Sequence, residues 1–404
     1  MQPQRILLLL GQMPQDPASG AARSCKTICE YLAASGQFTV RALATTATEK
    51  ALENNAERYL QDLGLLVERR AAADRDEAPE LHFTDKEITY TLLESPNMRE
   101  NEREMRHGRR FDRLFDQMLA DFQPHLIFTF GGHPDMIRRW LRARQRGIRI
   151  VFGLRNQGYL NAGPLFRQVD AVLTPSRFLS STYRRQLGLQ STPLPTPIDM
   201  QDVVAPSREP IFVTYVNPSL EKGVMFMARF AEQLAKQRPD IPLLVVESRG
   251  TAGTLVAAGL KGGFDLRHHR SIMVSPGVGF PREIFAVTRV LLAPSVCEEA
   301  SGRIVSEALV NGVPPIVSNR GGLPEECRGA GLVFPLPDDL TTATRIPVTA
   351  QATQPWIDAV TRLVDDDAYY QAECKRAERA GKAYRTKALQ DQYVSFFKRV
   401  LRKA

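Results

Sequence analysis

The sequence predicts an α/β protein made of two doubly wound, Rossmann-like domains. Short apolar runs alternate with charged, helix-compatible segments in both halves of the chain. The length of 404 residues exceeds what one core normally holds, which levels off near ~250–300 residues. Between the two alternating blocks, residues 189–210 carry five prolines and little periodicity, the pattern of an interdomain linker.

Taken in order, residues 6–10 are an apolar run closed by Gly11 and read as a first buried strand. A loop with two prolines follows at 12–19, then helical periodicity over 23–34 that stops at Gly36, then an alternating strand at 38–43. This strand–loop–helix–strand start is that of a doubly wound sheet. Residues 51–80 are charged and read as helical. A charged helix is expected at 100–119, a strand at 126–130, a helix at 136–146, and strands at 148–152 and 171–174. After the proline-rich segment come strands at 211–216 and 243–247 flanking a helix at 224–237. A strand at 272–274, a helix at 281–287 and a strand at 290–293 follow, and 369–385 and 389–403 read as closing helices. No short-period repeat is visible.

Composition narrows the class. The chain is 43% apolar and 24% charged, without low-complexity tracts, as an ordered globular protein would be. A formal charge of +8, carried mostly by arginine, fits an anionic substrate or an acidic membrane surface and does not by itself argue for nucleic acid. No aromatic–basic platform of a nucleic-acid binder is present. The five cysteines form no Cys-x-x-Cys pair and no zinc-like cluster, and their odd number suits a reducing compartment. Cys25 and Cys29, one helical turn apart, read as core. The opening apolar run is too short for a secretory signal, and no run approaches the ~18 apolar residues of a membrane span. A cytoplasmic protein is expected. The basic stretch from Arg138 to Arg146 has Trp140 and Leu141 as apolar anchors. It would hold a peripheral protein to the inner face of a membrane, or else is a solvated helix face with Trp140 in the core.

The most informative segment is Cys297-Glu298-Glu299-Ala300-Ser301-Gly302-Arg303-Ile304-Val305-Ser306-Glu307-Ala308-Leu309. A buried strand ending at Pro294-Ser295 precedes it, and Asn311-Gly312-Val313-Pro314 stops the following helix. Glu299 therefore falls at the carboxyl edge of a parallel sheet, where open α/β sheets bind ligands. Ionised carboxylates accept paired hydrogen bonds from sugar or ribose hydroxyls. The plain reading is that Glu299 caps the helix and Glu307 lies on a solvated face.

The run Pro294-Ser295, Glu299, Gly302, Glu307-Ala308-Leu309, Gly312-Val313-Pro314 and Gly321-Gly322-Leu323-Pro324-Glu325 resembles the C-terminal signature of the retaining glycosyltransferases of family 4, the group 1 glycosyltransferases. The resemblance implies a GT-B architecture, two Rossmann-like domains facing an interdomain cleft. It implies an N-terminal acceptor domain at 1–200, a C-terminal nucleotide-sugar donor domain at 201–385, and a terminal helix at 386–404 that packs back on the N-terminal domain. The implied function is transfer of a sugar from a nucleoside-diphosphate sugar to an acceptor hydroxyl in glycan, polysaccharide or glycolipid synthesis. The acceptor would be a glycan, a lipid-linked molecule or a small molecule, and the donor is a co-substrate, so no cofactor and no metal is expected.

By the same resemblance Glu307 binds the donor ribose, Glu299 orients the donor sugar, and Gly302 with neighbours Ser301 and Arg303 keeps the loop close. Lys222, in Asn217-Pro218-Ser219-Leu220-Glu221-Lys222-Gly223, stabilises the leaving diphosphate; alone it would read as a solvated lysine at a helix start. Asn217 stands where relatives carry an arginine, so one cation is missing or comes from Arg249 or Arg303. Gly321 and Gly322 line the donor pocket, with Glu325 either there or simply a helix N-terminal acid. Gly20, after Ser19, matches a loop that approaches the diphosphate or acceptor, or is an ordinary tight turn. His133, in Gly131-Gly132-His133-Pro134-Asp135, matches a histidine that touches the donor sugar, or is a loop histidine bonded to backbone. Arg155 and Asn156 mark a specialised acceptor loop. Two other readings stay open: a non-catalytic nucleotide-sugar-binding protein of this fold, and a nucleotide-sugar epimerase.

Overall fold

The computed structural model describes residues 3–72, 74, 76–345, 347–385 and 387–402. Met1, Gln2, Thr386, Lys403 and Ala404, which fall at the ends of the expected domains, lie outside the described residues. The chain divides into two compact units. The first comprises the described residues of Met1–Pro175, Ser180–Pro197 and Lys387–Ala404; the second those of Ser176–Leu179 and Ile198–Thr386.

The first unit is built on strands β1 (Gln4–Leu9), β2 (Phe38–Thr45), β3 (Glu68–Arg70), β4 (Glu80–Asp85), β5 (Ile88–Leu93), β6 (Leu126–Thr129), β7 (Arg149–Gly153), β8 (Ala171–Thr174) and β9 (Thr192–Pro193). Their order in the sheet is β3-β4-β5-β2-β1-β6-β7-β8-β9. From β5 through β9 the pairs are parallel, while β3, β4 and β5 pair antiparallel. Among the described residues of 51–80, expected to be helical, only Ala56–Asp62 form a helix, and the segment contributes β3 and the first residue of β4 instead. The β4–β5 hairpin turns on Lys86 and Glu87, with φ of 45° and 65°. Left-handed backbone at two non-glycine residues is uncommon, so the usual Asn-Gly hairpin signal is missing from the sequence.

The terminal helix Lys387–Arg402 belongs to this first unit. Its apolar face, Leu389, Tyr393, Val394, Phe396, Phe397 and Val400, joins the core of β1 and β2 and of the helix Gly20–Ala33. Phe397 meets Phe38 and Phe128 edge-on, at centroid distances of 6.5 and 5.5 Å. Burial of such side chains stabilises by about 1.5–3 kcal/mol each. Gln390 Nε2 donates to Tyr31 O at 2.9 Å and the Tyr393 hydroxyl to Pro195 O at 2.8 Å, so the polar groups are met as well.

The second unit has a sheet of β10 (Phe212–Val216), β11 (Leu243–Val246), β12 (Ile272–Ser275), β13 (Thr288–Ala293), β14 (Pro315–Ser318) and β15 (Leu332–Phe334). The order is β12-β11-β10-β13-β14-β15, and every pair is parallel. The strands are short apolar runs, as expected for a sheet covered on both faces. Because all run the same way, the loops after β10, β11, β13 and β14 emerge at one edge. The proline-rich segment is not a free linker. Ile198 and Val203 are buried in the second unit's core, and Arg208 donates to the carbonyls of Phe285, Asn311 and Thr288.

Candidate functional site

At the carboxyl edge of the second sheet, three loops interlock. The loop after β10 carries Asn217 to Gly223, the loop after β13 carries Pro294 to Gly302, and the loop after β14 carries Gly321 and Gly322. Val296 N donates to Glu221 O at 3.0 Å, joining the first loop to the second. Gly322 N donates to Glu299 O at 2.8 Å, joining the second to the third. The glycines are required by contact. A Cβ on Gly223, at φ 79°, would lie 2.1 Å from Pro294 O, and one on Gly321, at φ 60°, would lie 2.4 Å from both Glu299 N and Glu299 O.

This interlock sets Glu299. Its side chain is 14% exposed, Lys222 Nζ donates to Oε1, and Ser295 Oγ donates to the same oxygen at 2.7 Å. Burial acts to raise the carboxyl. Lys222, the hydroxyl of Ser295 and the charge of Arg249 outweigh it and hold the group below its ordinary value, so Glu299 is a carboxylate. Nearby Cys297 goes the other way: burial and the charge of Glu299 push its thiol up to about 11, against the pull of Lys222, which keeps it protonated at neutral pH. The reading of Glu299 as a simple helix cap gives way to a partly buried ion pair.

Gly302, at φ 91°, precedes the helix Arg303–Val310, and no side chain caps that helix start. Glu307 sits on the helix, 5% exposed, and accepts from Arg303 Nε at 2.7 Å. Arg303 Nη1 is buried without a protein partner among the described residues. Glu307 is therefore not on a solvated face. Ser301 is buried. Asn217 Oδ1 accepts from Gly250 N at 2.7 Å, and Asn217 itself is left-handed at φ 63°. Its side chain is thus engaged with the loop after β11. Glu325 lies in the first turn of its own helix, Leu323–Glu326, and also acts at the start of another. Its two carboxylate oxygens accept from Arg177 N and Phe178 N, each at 2.9 Å, so it holds Ser176–Leu179 within the second unit.

Lys222, Asn217, Glu299, Ser301, Gly302, Arg303, Glu307, Gly321 and Gly322 all belong to the second unit; His133 and Gly20 belong to the first. His133 precedes the helix Pro134–Gln145. Its Nε2 meets Asn101 Oδ1 at 2.6 Å and its Nδ1 faces Asp135 Oδ2 at 3.0 Å. With Glu104 and Asp135 it makes a trio of metal-type donors, but Arg138 pairs with Asp135 and Arg139 with Glu104, so the local carboxylates already have cations. Gly20 opens the helix Gly20–Ala33, and a Cβ there would meet no protein atom within 4 Å. In the loop before it, Asp16 is fully buried and was not singled out from sequence. Burial pushes its carboxyl up to about 6, against the N–H groups of Glu49, Ala18 and Ser19.

The acceptor-loop residues are also partly committed. Arg155 Nη1 donates to Thr196 Oγ1 at 3.4 Å, and the Asn156 carbonyl accepts from the Tyr183 hydroxyl at 3.0 Å. The basic helix Pro134–Gln145 has a solvated face that carries Arg138, Leu141 and Arg144, with Arg146 exposed just beyond it, and a buried face. Trp140 is fully buried, Arg139 pairs with Glu104 and Asp112, and Arg142 pairs with Asp112 and Asp116. Among the described residues no helix is long and apolar enough to cross a membrane.

No protein-family model matches the chain, and no curated protein does. Solved structures match it along its length. A sucrose-phosphate synthase from Thermosynechococcus elongatus is similar over 99% of this chain and 100% of its own, at 17% identity and a TM-score of 0.71. HepE of Anabaena in complex with UDP-glucose covers 98% of this chain with 99% of its own, at 12% identity and a TM-score of 0.64. The catalytic domain of starch synthase IV from Arabidopsis thaliana, bound to ADP and acarbose, covers 99% of each chain at 12% identity and a TM-score of 0.64. Identities this low speak for architecture rather than chemistry, and with the two sheets described above they establish that the chain has the GT-B fold.

Proposed function

We propose that the chain is a retaining glycosyltransferase that moves a sugar from a nucleoside-diphosphate sugar to an acceptor hydroxyl without a bound metal. The observation that carries this reading is the Lys222–Glu299–Ser295 cluster, set by three loops at the carboxyl edge of the second sheet. In this reading Lys222 meets the donor diphosphate and gains strength as negative charge develops on the leaving group. Glu299 accepts hydroxyls of the donor sugar. Glu307, whose Oε1 is held by Arg303, offers its second oxygen to the ribose. The acceptor oxygen bonds to the anomeric carbon as the carbon–oxygen bond to the phosphate breaks. The acceptor proton passes to the leaving phosphate oxygen on the same face, which retains configuration and needs no covalent enzyme intermediate.

The similar solved structures that hold UDP, UDP-glucose or ADP make uridine and adenosine donors the first to assay. The test is steady turnover of a nucleotide sugar with an acceptor extract in the presence of a chelator, with the anomeric configuration of the product read by NMR. Retained configuration and chelator-resistant turnover are expected. A second reading, a non-catalytic nucleotide-sugar-binding protein, is favoured by Asn217 in place of an arginine; donor binding without turnover would select it. Epimerised donor in the absence of any acceptor would select an epimerase.

A further inference from the structure

Residues 136–198 hold eleven arginines, no lysine and one acidic residue, Asp170. Eleven positive charges less one give this stretch a formal +10, against +8 for the whole chain, so the remaining residues nearly balance. The arginines divide by burial. Arg139 and Arg142 meet acids of the helix Glu100–Asp121, and Arg149 pairs with Asp170 at 3.1 Å. Arg146, Arg167, Arg184 and Arg185 are exposed, and among the described residues none of them has a carboxylate within ion-pair distance. Arg144, also exposed, gives its Nη1 to the carbonyl of Arg167 at 3.2 Å, which leaves its charge unmatched.

These cations share one surface of the first unit. The Arg144–Arg167 bond joins the end of the helix Pro134–Gln145 to the short helix Gly163–Gln168. Leu187 Cδ2 lies 3.9 Å from where a Cβ of Gly163 would be, which joins the end of the helix Arg177–Leu187 to the same short helix. Leu141 stands one turn before Arg144 and is 42% exposed, and Leu187 is 36% exposed, so apolar side chains sit among the cations. The two longer helices connect parallel strands, β6 to β7 and β8 to β9. They therefore run from the carboxyl edge of the first sheet back to its amino edge. Their ends lie away from the carboxyl edge, where open α/β sheets bind ligands. Arginines in a last helical turn also offset the helix dipole, but that accounts for neither Arg167 nor the two leucines.

We propose that this surface docks the chain on an anionic phospholipid membrane, with the arginines on lipid phosphates and Leu141 and Leu187 in the interfacial layer. A guanidinium meets a phosphate in fork geometry and stays charged at any working pH. Leucines between the cations add apolar contact, as interfacial helices do. None of the aromatic rings in 136–198 is exposed, so the surface has no platform on which bases of a nucleic acid would stack. Docking here does not depend on what the second unit binds.

The experiment is co-sedimentation of the full chain with two kinds of large vesicle, phosphatidylcholine alone and an equal mixture of phosphatidylcholine and phosphatidylglycerol, at low and high salt. Binding to the anionic vesicles alone, weakened by salt, is expected. Arg184→Glu/Arg185→Glu should weaken it at least about tenfold, since each basic residue at such a surface contributes roughly fivefold. Leu141→Ala/Leu187→Ala should weaken it about threefold or more, by a factor that salt does not change. Lys375→Glu/Arg379→Glu, exposed on a helix of the second unit, makes the same change in net charge and should leave binding as it is. Arg184→Gln/Arg185→Gln should also lose affinity while unfolding at the wild-type temperature, because both side chains are exposed and unpaired. Wild-type binding in the Arg184/Arg185 variants, or an equal loss in the Lys375/Arg379 control, would overturn the assignment. So would failure of the wild-type chain to bind the anionic vesicles, with or without binding to single-stranded RNA.

Discussion

Lys222 and Glu299, 77 residues apart in sequence, form an ion pair that joins the ends of β10 and β13. The pair ties ionisation to stability. The folded carboxyl of Glu299 titrates below its ordinary value, because Lys222, Ser295 and Arg249 together outweigh burial. A carboxylate depressed in the folded state contributes stability that is present above its unfolded pKa, about 4.3. That contribution is lost as pH falls through the lower folded value. Glu299→Gln should therefore be less stable than wild type at neutral pH, and the gap should narrow as pH falls below the ordinary carboxylate range. Unfolding midpoints of the two proteins across pH measure this. A gap that is constant with pH would show that the charge of Glu299 contributes nothing.

Lys222→Ala should lower turnover about a hundredfold to a thousandfold, the loss typical when a group stabilising developing charge is removed. It also leaves Glu299 without its closest cation, so the loss could reflect a displaced carboxylate. The double variant Lys222→Ala/Glu299→Gln separates the two. If turnover falls further in the double variant than in the single, Glu299 still acts without Lys222 and the missing positive charge is responsible; if it falls no further, the displaced carboxylate is. A near-wild-type rate in Lys222→Ala would rule out its proposed role at the diphosphate.

How much of this was legible in the sequence follows from locality. Glu299, Gly302 and Glu307 lie within one loop and one helix, so their spacing alone places them at the edge of β13. The partners that define their chemistry are remote: Lys222 comes from another loop, and nothing local says that Asn217 would accept from Gly250. Fold errors have the same source. Residues 51–80 look helical because they are charged, yet β3 and β4 are strands because β3 pairs with β4 and β4 with β5. Arg139 reads as a surface cation, but it is buried against Glu104, Asp112 and the ring of Phe111. No periodicity rule reports a partner on another helix.

Glu307→Ala should weaken donor binding about tenfold, the value of a hydrogen bond to a charged group. Its Oε1 is occupied by Arg303, so loss of the carboxylate also leaves Arg303 Nε without its acceptor. Glu307→Gln keeps one acceptor oxygen and should lose less. The measurement is donor affinity at fixed pH for both variants. Unchanged affinity in Glu307→Ala contradicts the ribose assignment.

Phe397→Ala should destabilise the first unit by about 3–5 kcal/mol, as truncation of a buried phenylalanine does. The ring is fully buried and meets Phe38, Phe128 and Phe396 edge-on. The terminal helix is thereby part of that unit's core. Chemical denaturation with near-ultraviolet detection reports the change. A loss below 1 kcal/mol would mean that the helix contributes little to the unit.

The glycines separate contact from coincidence. Gly321 is left-handed at φ 60°, and a Cβ there would strike the backbone N and O of Glu299 at 2.4 Å. Gly321→Ala has to move either that loop or its own. Because Glu299 O accepts from Gly322 N in the same corner, the shift reaches the carboxylate paired with Lys222. Turnover should fall strongly, with stability reduced by about 1 kcal/mol or more from the strained backbone alone. Gly20→Ala is the matched control. It lies at the start of a helix, outside the left-handed region, with open space where the Cβ would go. Alanine there should be neutral or stabilise by up to about 1 kcal/mol, because it restricts the unfolded chain. Kinetics and thermal unfolding of both variants decide the matter. If Gly20→Ala abolishes turnover while folding normally, backbone approach at the first loop is part of the site after all, and the resemblance at that position holds where the packing gives no sign of it.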